Sequence, residues 1–255
     1  MTTNLESRIA LITGGNRGLG RASALALAAD GTDIILTYRS NADEAAAVVD
    51  EITALGRTAV ALQLNTTAIA TFDGFVVGLR AALADNWGRA SFDILINNAG
   101  SVATTPLGAT TEESIDAMVD VHFKGVVLLT QALTPLIADG GRILNVSTGL
   151  SRFYGPGFSV YASMKGAIEV YTKYLARELG SRSIAVNVIA PGATATDFGG
   201  GAVRDNEQIR QGLTSAVAMG RVGEAEDIAR AVVAILSDSG WITAQRIEAS
   251  GGQLL

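Results

Sequence analysis

The chain has 255 residues, 48% of them hydrophobic and 17% charged, with a formal net charge of −6 and no cysteine. That is enough apolar material for one sizeable core without disulfides, and the missing thiols exclude a cysteine nucleophile, a thiolate metal site and a disulfide framework. The acidic balance and dispersed basic residues argue against a nucleic-acid groove, and one histidine, His122, argues against a histidine metal centre.

The stretch from Met1 to Arg8 is short and polar, with no apolar signal segment. Short β-branched runs then read as buried strands at Ile9–Thr13, Asp33–Tyr38, Thr58–Leu62, Asp93–Asn97, Arg142–Ser147, Ile184–Ile189 and Gln245–Glu248. Between them, Ala- and Leu-rich stretches have helical spacing: Leu19–Ala29, Ala42–Leu55, Phe72–Trp87, Glu112–Ala138, Val160–Leu179 and Glu224–Leu236. Regular alternation predicts one α/β domain over 1–255, a doubly wound parallel sheet of Rossmann-like type with about seven strands in three α/β/α layers. The greasiest stretch, Gly125 to Ala138, is interrupted by Thr130, Gln131, Thr134 and Pro135 and is too short to span a bilayer. With the absent cysteines this predicts a cytoplasmic protein without membrane or nucleic-acid partners. The irregular region 193–223, with Gly199-Gly200-Gly201 and a short polar helix around Asp205–Leu213, reads as a substrate lid.

Three features carry chemistry. The first strand runs into Thr13-Gly14-Gly15-Asn16-Arg17-Gly18-Leu19-Gly20 and then a helix. Glycines 14, 18 and 20 let backbone approach a pyrophosphate at a helix N-terminus. The second strand ends in Thr37-Tyr38-Arg39-Ser40 rather than in an acid; Asp33 lies at the wrong end of it. Arg39 and Arg17 therefore favour NADP(H) over NAD(H), since guanidinium forks match phosphate. Finally, Tyr161 and Lys165 stand four residues apart, which on a helix sets the ammonium beside the phenol. A neighbouring cation favours the phenolate, and a drop of roughly three units, about 4 kcal/mol, would make the tyrosine a working acid and base.

Together these pieces resemble the short-chain dehydrogenase/reductase family over essentially the whole chain, including members such as 3-oxoacyl carrier-protein reductases and small-ketone reductases. The family's motifs match Thr13–Gly20, Asn97-Asn98-Ala99-Gly100, Tyr161-x-x-x-Lys165 and Pro191-Gly192 followed by Thr194 and Thr196. The resemblance implies that Tyr161 donates the proton in reduction and removes it in oxidation, and that Lys165 lowers the tyrosine's pKa and holds the nicotinamide ribose. It also implies that Asn98, Ala99 and Gly100 pass the cofactor ribose, and that Pro191, Gly192, Thr194 and Thr196 hold the carboxamide and a phosphate. Gly14, Asn16, Arg17, Gly18, Leu19, Gly20, Tyr38, Arg39 and Ser40 complete the expected cofactor site, with no metal.

Three candidate site positions and one C-terminal motif depart from the family pattern. Thr148 stands thirteen residues before the tyrosine, where a serine is usual, and its hydroxyl can still donate to a carbonyl. Ser147 beside it should face the other way if the strand stays extended. His122 takes the place of an asparagine whose backbone carbonyl, in a locally kinked helix, holds a relay water; its ring is itself a candidate proton shuttle. Asn65, followed by Thr66, replaces the acid that often meets the adenine, and its carbonyl can accept the adenine amino hydrogen. Ala249-Ser250-Gly251-Gly252 replaces a common Asp-Gly-Gly.

The expected function is reversible NADPH-dependent reduction of a ketone or aldehyde, with Leu150, Phe153, Tyr154 and Phe198 as candidate pocket walls. A basic patch for an acyl carrier protein is not visible, which favours a free small-molecule substrate. The resemblance further implies a homotetramer or homodimer through Glu112–Ala138 and Val160–Leu179. The alternatives are a nucleotide-binding sensor or scaffold that has lost its chemistry, and a sugar-nucleotide epimerase, for which 255 residues leave little room.

Overall fold

A computed structural model describes residues 7–237 and 241–255. Most of the polar start, from Met1 to Glu6, lies outside the described residues. The chain forms β1 (Ile9–Ile12), α1 (Gly18–Ala29), β2 (Asp33–Tyr38), α2 (Ala42–Ala54), β3 (Ala59–Gln63), α3 (Phe72–Trp87) and β4 (Phe92–Asn97). It continues through α4 (Glu112–Val119), α5 (Gly125–Leu133), β5 (Ile137–Val146), α6 (Ser159–Leu179) and β6 (Ala185–Pro191). The last part holds β7 (Thr194–Ala195), α7 (Ala202–Asp205), α8 (Glu207–Thr214), β8 (Gly223–Glu224), α9 (Ala225–Leu236) and β9 (Arg246–Ala249).

Seven parallel strands lie in the order β3-β2-β1-β4-β5-β6-β9, the doubly wound arrangement expected. The period-2 alternation divides each strand between two cores. Ile9, Leu11, Ile35 and Leu95 pack on one face, and Ala10, Ile12, Ile34, Leu36, Ile94 and Ile96 on the other. Each fully buried Leu or Ile contributes roughly 1.5–3 kcal/mol of transfer free energy. The chain order reverses between β1 and β4, so a crevice opens at the carboxyl ends of these two neighbours.

Local signals fix the helix starts. Asn41 accepts from the Glu44 N–H at the head of α2, and Thr111 and Ser114 form a capping box at the head of α4. Several strand ends differ from the sequence reading, β5 most, since it starts at Ile137 rather than Arg142, and two helices differ in kind. The long helix expected over Glu112–Ala138 is broken by a π-turn at Asp120–Lys124, then ends at Leu133. Pro135 opens a short 3-10 turn, and Ile137 and Ala138 already belong to β5. The single polar helix expected in the lid is two, α7 and α8, separated by Asn206, which caps the second.

Candidate active site

The glycine turn after β1 is held by Thr13. Its Oγ1 accepts from the backbone N–H of Asn98 at 3.0 Å and of Ala99 at 2.9 Å, while Asn98 Nδ2 donates to the carbonyls of Thr13 (2.9 Å) and Gly14 (3.1 Å). The two motif loops are thus one unit at the switch point. Gly14 has φ +63°, and a Cβ on Gly20 would overlap the Gly14 carbonyl and stand 2.6 Å from Asn98 Nδ2. The head of α1 has no side-chain cap, which leaves its first-turn N–H groups for an anion.

An open cleft of about 480 Å³ beside this turn is lined by Asn16, Arg17, Gly18, Thr196, Asp197 and Arg204, among others. Arg17 pairs with Asp197 at 3.2 Å, and Asn16 Nδ2 donates to Glu44 at 2.8 Å. Arg39 and Ser40 are exposed and Tyr38 is half-buried at the carboxyl end of β2, where the Arg39 guanidinium makes no ion pair among the described residues. Asp33 is a structural anchor at the far end, accepting from Arg57 Nε and the Thr58 N–H at 2.9 Å each and from Trp87 Nε1 at 3.0 Å. The Cβ-free cradle, the uncapped helix and the two arginines fit a phosphorylated dinucleotide. Asn65 departs from its expected role: its side-chain oxygen already accepts from the N–H (3.1 Å) and hydroxyl (3.0 Å) of Thr67, so it would have to leave this turn to meet an adenine. Buried Thr66 lends its carbonyl to a close backbone contact, since a Cβ on Gly125 would overlap it.

Tyr161, Lys165, Thr148 and His122 converge as expected, and all four are buried. A polar chain sets α6 in place: Asn97 Nδ2 donates to Thr130 Oγ1 (3.0 Å) and Asn145 Oδ1 (2.8 Å), and Asn145 Nδ2 donates to Thr172 Oγ1 (2.9 Å). Thr148 caps the turn after β5, accepting from the Leu150 N–H at 3.3 Å, and its hydroxyl faces the Tyr161 phenol closely enough to favour the phenolate. Ser147 turns away from Tyr161, donating to Glu169 Oε1 at 2.7 Å. His122 sits inside the π-turn, its ring edge-on to Tyr161 with centroids 5.1 Å apart. Its Nε2 lies 2.6 Å from the Ser101 carbonyl and so carries the hydrogen, leaving Nδ1 a buried acceptor with no partner among the described residues.

Electrostatics correct two expectations. Burial, rather than the Lys165 charge, dominates the phenol: it pushes Tyr161 up to about 12, only partly opposed by the Thr148 hydroxyl. The ammonium stands 5.9 Å from the ring centroid, donates to the Val146 carbonyl at 2.7 Å, and is itself brought down to about 8 by burial. Nor is His122 a shuttle titrating near neutrality. Burial, and then the Lys165 charge, bring it down to about 3 against the Ser101 hydrogen bond, so the ring is neutral at pH 7.

The remaining expected residues lie around this cluster. Gly192 N donates to the Ala249 carbonyl beside Pro191, Thr194 Oγ1 donates to the Gly192 carbonyl, and buried Thr196 accepts from the Phe198 N–H at 3.3 Å. Of the candidate pocket walls, Phe198 reaches Tyr161, with ring centroids 6.2 Å apart. Phe153 instead packs under Gly149 and Arg152, Leu150 lies beside Gly155, and Tyr154 is 92% exposed. Gly199, Gly200 and Gly201 all have positive φ, a run that ordinary residues would resist, and they form a bend in the 193–223 segment.

Residues 14–253 match the family model described as enoyl-(acyl carrier protein) reductase. The chain is 33% identical over 258 residues to a 3-oxoacyl-[acyl-carrier-protein] reductase of Synechocystis sp., covering 99% of each. Among solved structures it is similar to the promiscuous reductase LugOII, which catalyses keto-reduction in lugdunomycin biosynthesis (37% identity, TM-score 0.92, 99% of this chain and 100% of that one). It is also similar to the angucycline C-6 ketoreductase LanV with bound NADP (36% identity, TM-score 0.92, 98% and 97%). Among the described residues no helix is long and apolar enough to cross a membrane.

Proposed function

The chain belongs to the short-chain dehydrogenase/reductase family, and we propose that it reduces the carbonyl of a small ketone or aldehyde with NADPH, reversibly. The observation that carries this reading is the juxtaposed pair of hydroxyls, Thr148 and Tyr161, at the carboxyl edge of the sheet beside the glycine cradle. A nicotinamide dinucleotide, when bound, supplies or takes up the hydride.

The rest belongs to the chain's own side chains. A carbonyl oxygen placed between the two hydroxyls accepts from both, and the Thr148 donor stabilises the charge that grows there. Tyr161 then gives up its proton. With its pKa near 12 the phenol is held in the neutral, proton-bearing form that reduction requires. The Lys165 ammonium, fixed by Val146, stabilises through its charge the phenolate left when the proton is gone, and solvent water returns a proton to the phenolate before the next turnover. His122 holds Ser101 and packs on the phenol, keeping its ring in place.

Arg17 and Arg39 support NADP(H) over NAD(H), because Arg17 lines the cleft beside the glycine turn, Arg39 follows the carboxyl end of β2, and no carboxylate occupies that end. Val170 and Tyr174, exposed one turn apart on α6, suit packing against a second copy in a homodimer or homotetramer. A carbonyl panel followed by NADPH absorbance, with NADH in parallel and Tyr161→Phe as control, tests the reading. Turnover lost in the variant supports it; turnover unchanged by Tyr161→Phe, or no turnover on any carbonyl, overturns it.

A further inference from the structure

Behind Thr148 lies a chain of charges that the proposed chemistry has not used. Arg246 Nε pairs with Glu169 Oε1 at 2.9 Å and its Nη1 with Glu248 Oε2 at 2.9 Å. Glu248 is gripped from the other side by Arg152, at 2.7 and 2.8 Å, and by the Ser250 hydroxyl at 2.7 Å. The third arm of Arg246, Nη2, donates to the Thr148 carbonyl at 3.3 Å and to Ser151 Oγ at 3.2 Å, and the Ser151 hydroxyl lies within hydrogen-bond reach of both Glu169 Oε1 (2.5 Å) and the Thr148 carbonyl (2.8 Å).

The same segment of chain reaches the other side of the site. Gln253 Oε1 accepts from the Ala193 N–H at 2.9 Å, and residues 251–254 pair with Ala216–Met219 at the end of the lid. A guanidinium with three filled directions is a rigid brace. Thr148 is extended, at φ −156° and ψ 153°, and that backbone setting directs its hydroxyl.

We infer that Arg246 is a positioning residue: locked by Glu169 and Glu248, it fixes the Thr148 peptide and so aims the Thr148 hydroxyl at the substrate carbonyl beside Tyr161. The inference rests on the carbonyl-reductase reading and adds to it a residue 98 positions away from the group it aims. No charge on Arg246 touches substrate; its effect passes wholly through Thr148.

That property defines the test, a double-mutant cycle on kcat with a carbonyl that the wild-type protein reduces, comparing Arg246→Met, Thr148→Ala and the double variant. Misaiming a reacting group lowers the rate by about 10- to 100-fold. The expected result is a loss of that size for Arg246→Met in the Thr148 protein, little further loss in the Thr148→Ala protein, and an NADPH affinity, read by nucleotide fluorescence, equal to wild type. Equal losses in both backgrounds, or none, overturn the inference while leaving the reductase reading intact. Absence of wild-type turnover, or Thr148→Ala as fast as wild type, overturns the reading and the inference with it. If Arg246→Met does not fold, Arg246→Lys enters the same cycle. It keeps the charge between the carboxylates and loses the fork, and the same outcomes decide.

Discussion

Arg17 and Asp197 form a 3.2 Å ion pair across the cleft, joining the glycine turn at the head of α1 to the segment that follows β7. The Arg17 side chain is 66% exposed, so the pair itself is worth at most about 1 kcal/mol and is screened by salt. Its consequence is competition: the Asp197 carboxylate occupies the cation that a phosphate of NADP would use. Asp197→Asn should tighten NADPH binding by about two- to fivefold at low salt, with little change for NADH. Fluorescence titration of both nucleotides at two ionic strengths checks this, and unchanged or weaker NADPH binding contradicts it.

The Thr13 hydroxyl is the hinge of the two glycine-bearing loops, since one oxygen accepts both the Asn98 and Ala99 N–H groups. Thr13→Val has nearly the same volume and leaves the Ala99 N–H without its acceptor and the Asn98 N–H with the Ile96 carbonyl at 3.1 Å. An unsatisfied donor costs about 1–3 kcal/mol, so a loss of about that size is expected, and Thr13→Ser should restore most of it. Urea unfolding measures the difference. A loss below about 1 kcal/mol would mean that water satisfies the loop instead.

The sheet was legible because burial on both faces writes itself as continuous apolar runs, and β2 and α3 begin and end where the sequence places them. Tyr161, Lys165, Thr148 and His122 were legible as a group from motif order, and the structure gathers them. Their electrostatics were not. The distance from i to i+4 on a helix says that a cation is near, but the burial that dominates both Tyr161 and Lys165 depends on what covers them. The π-turn that holds His122 has no signature in helical periodicity. The Arg152, Glu169, Arg246 and Glu248 chain was invisible for another reason: Arg152 and Glu248 are 96 positions apart, and each reads alone as an ordinary surface charge. Arg246 and Glu248 alternating on a strand offered the one hint, as charges sharing a face at period 2.

The methyl group of Thr148 separates size from chemistry at the proposed oxygen site. Thr148→Val keeps the shape and removes the donor, and loss of one such donor costs about 10²–10³ in kcat. Thr148→Ser keeps the donor and removes the methyl, so kcat should stay within about threefold of wild type while bulkier ketones gain in kcat/KM, a methylene being worth about 1–3 kcal/mol in a pocket. Steady-state kinetics on a graded ketone series reads both effects. A valine variant as active as the serine one would remove Thr148 from the chemistry.

His122 should govern part of the acid stability of the fold. Its pKa is about 3 in the folded chain against 6.5 when solvated, because burial and the Lys165 charge disfavour the imidazolium. The unfolded chain therefore binds a proton that the folded chain refuses. Stability from this group is complete above pH 6.5 and is lost progressively as the pH falls towards 3. At pH 4.5 the loss from this one group amounts to about 3 kcal/mol. His122→Asn removes the titration, so the stability of the variant relative to wild type should improve by about that much between pH 7 and pH 4.5, whatever its absolute value at pH 7. Urea denaturation at four pH values across that span gives the comparison directly. Two parallel curves would show that the ring is protonated in the folded protein, and would require Nδ1 to have a partner that stabilises its positive charge.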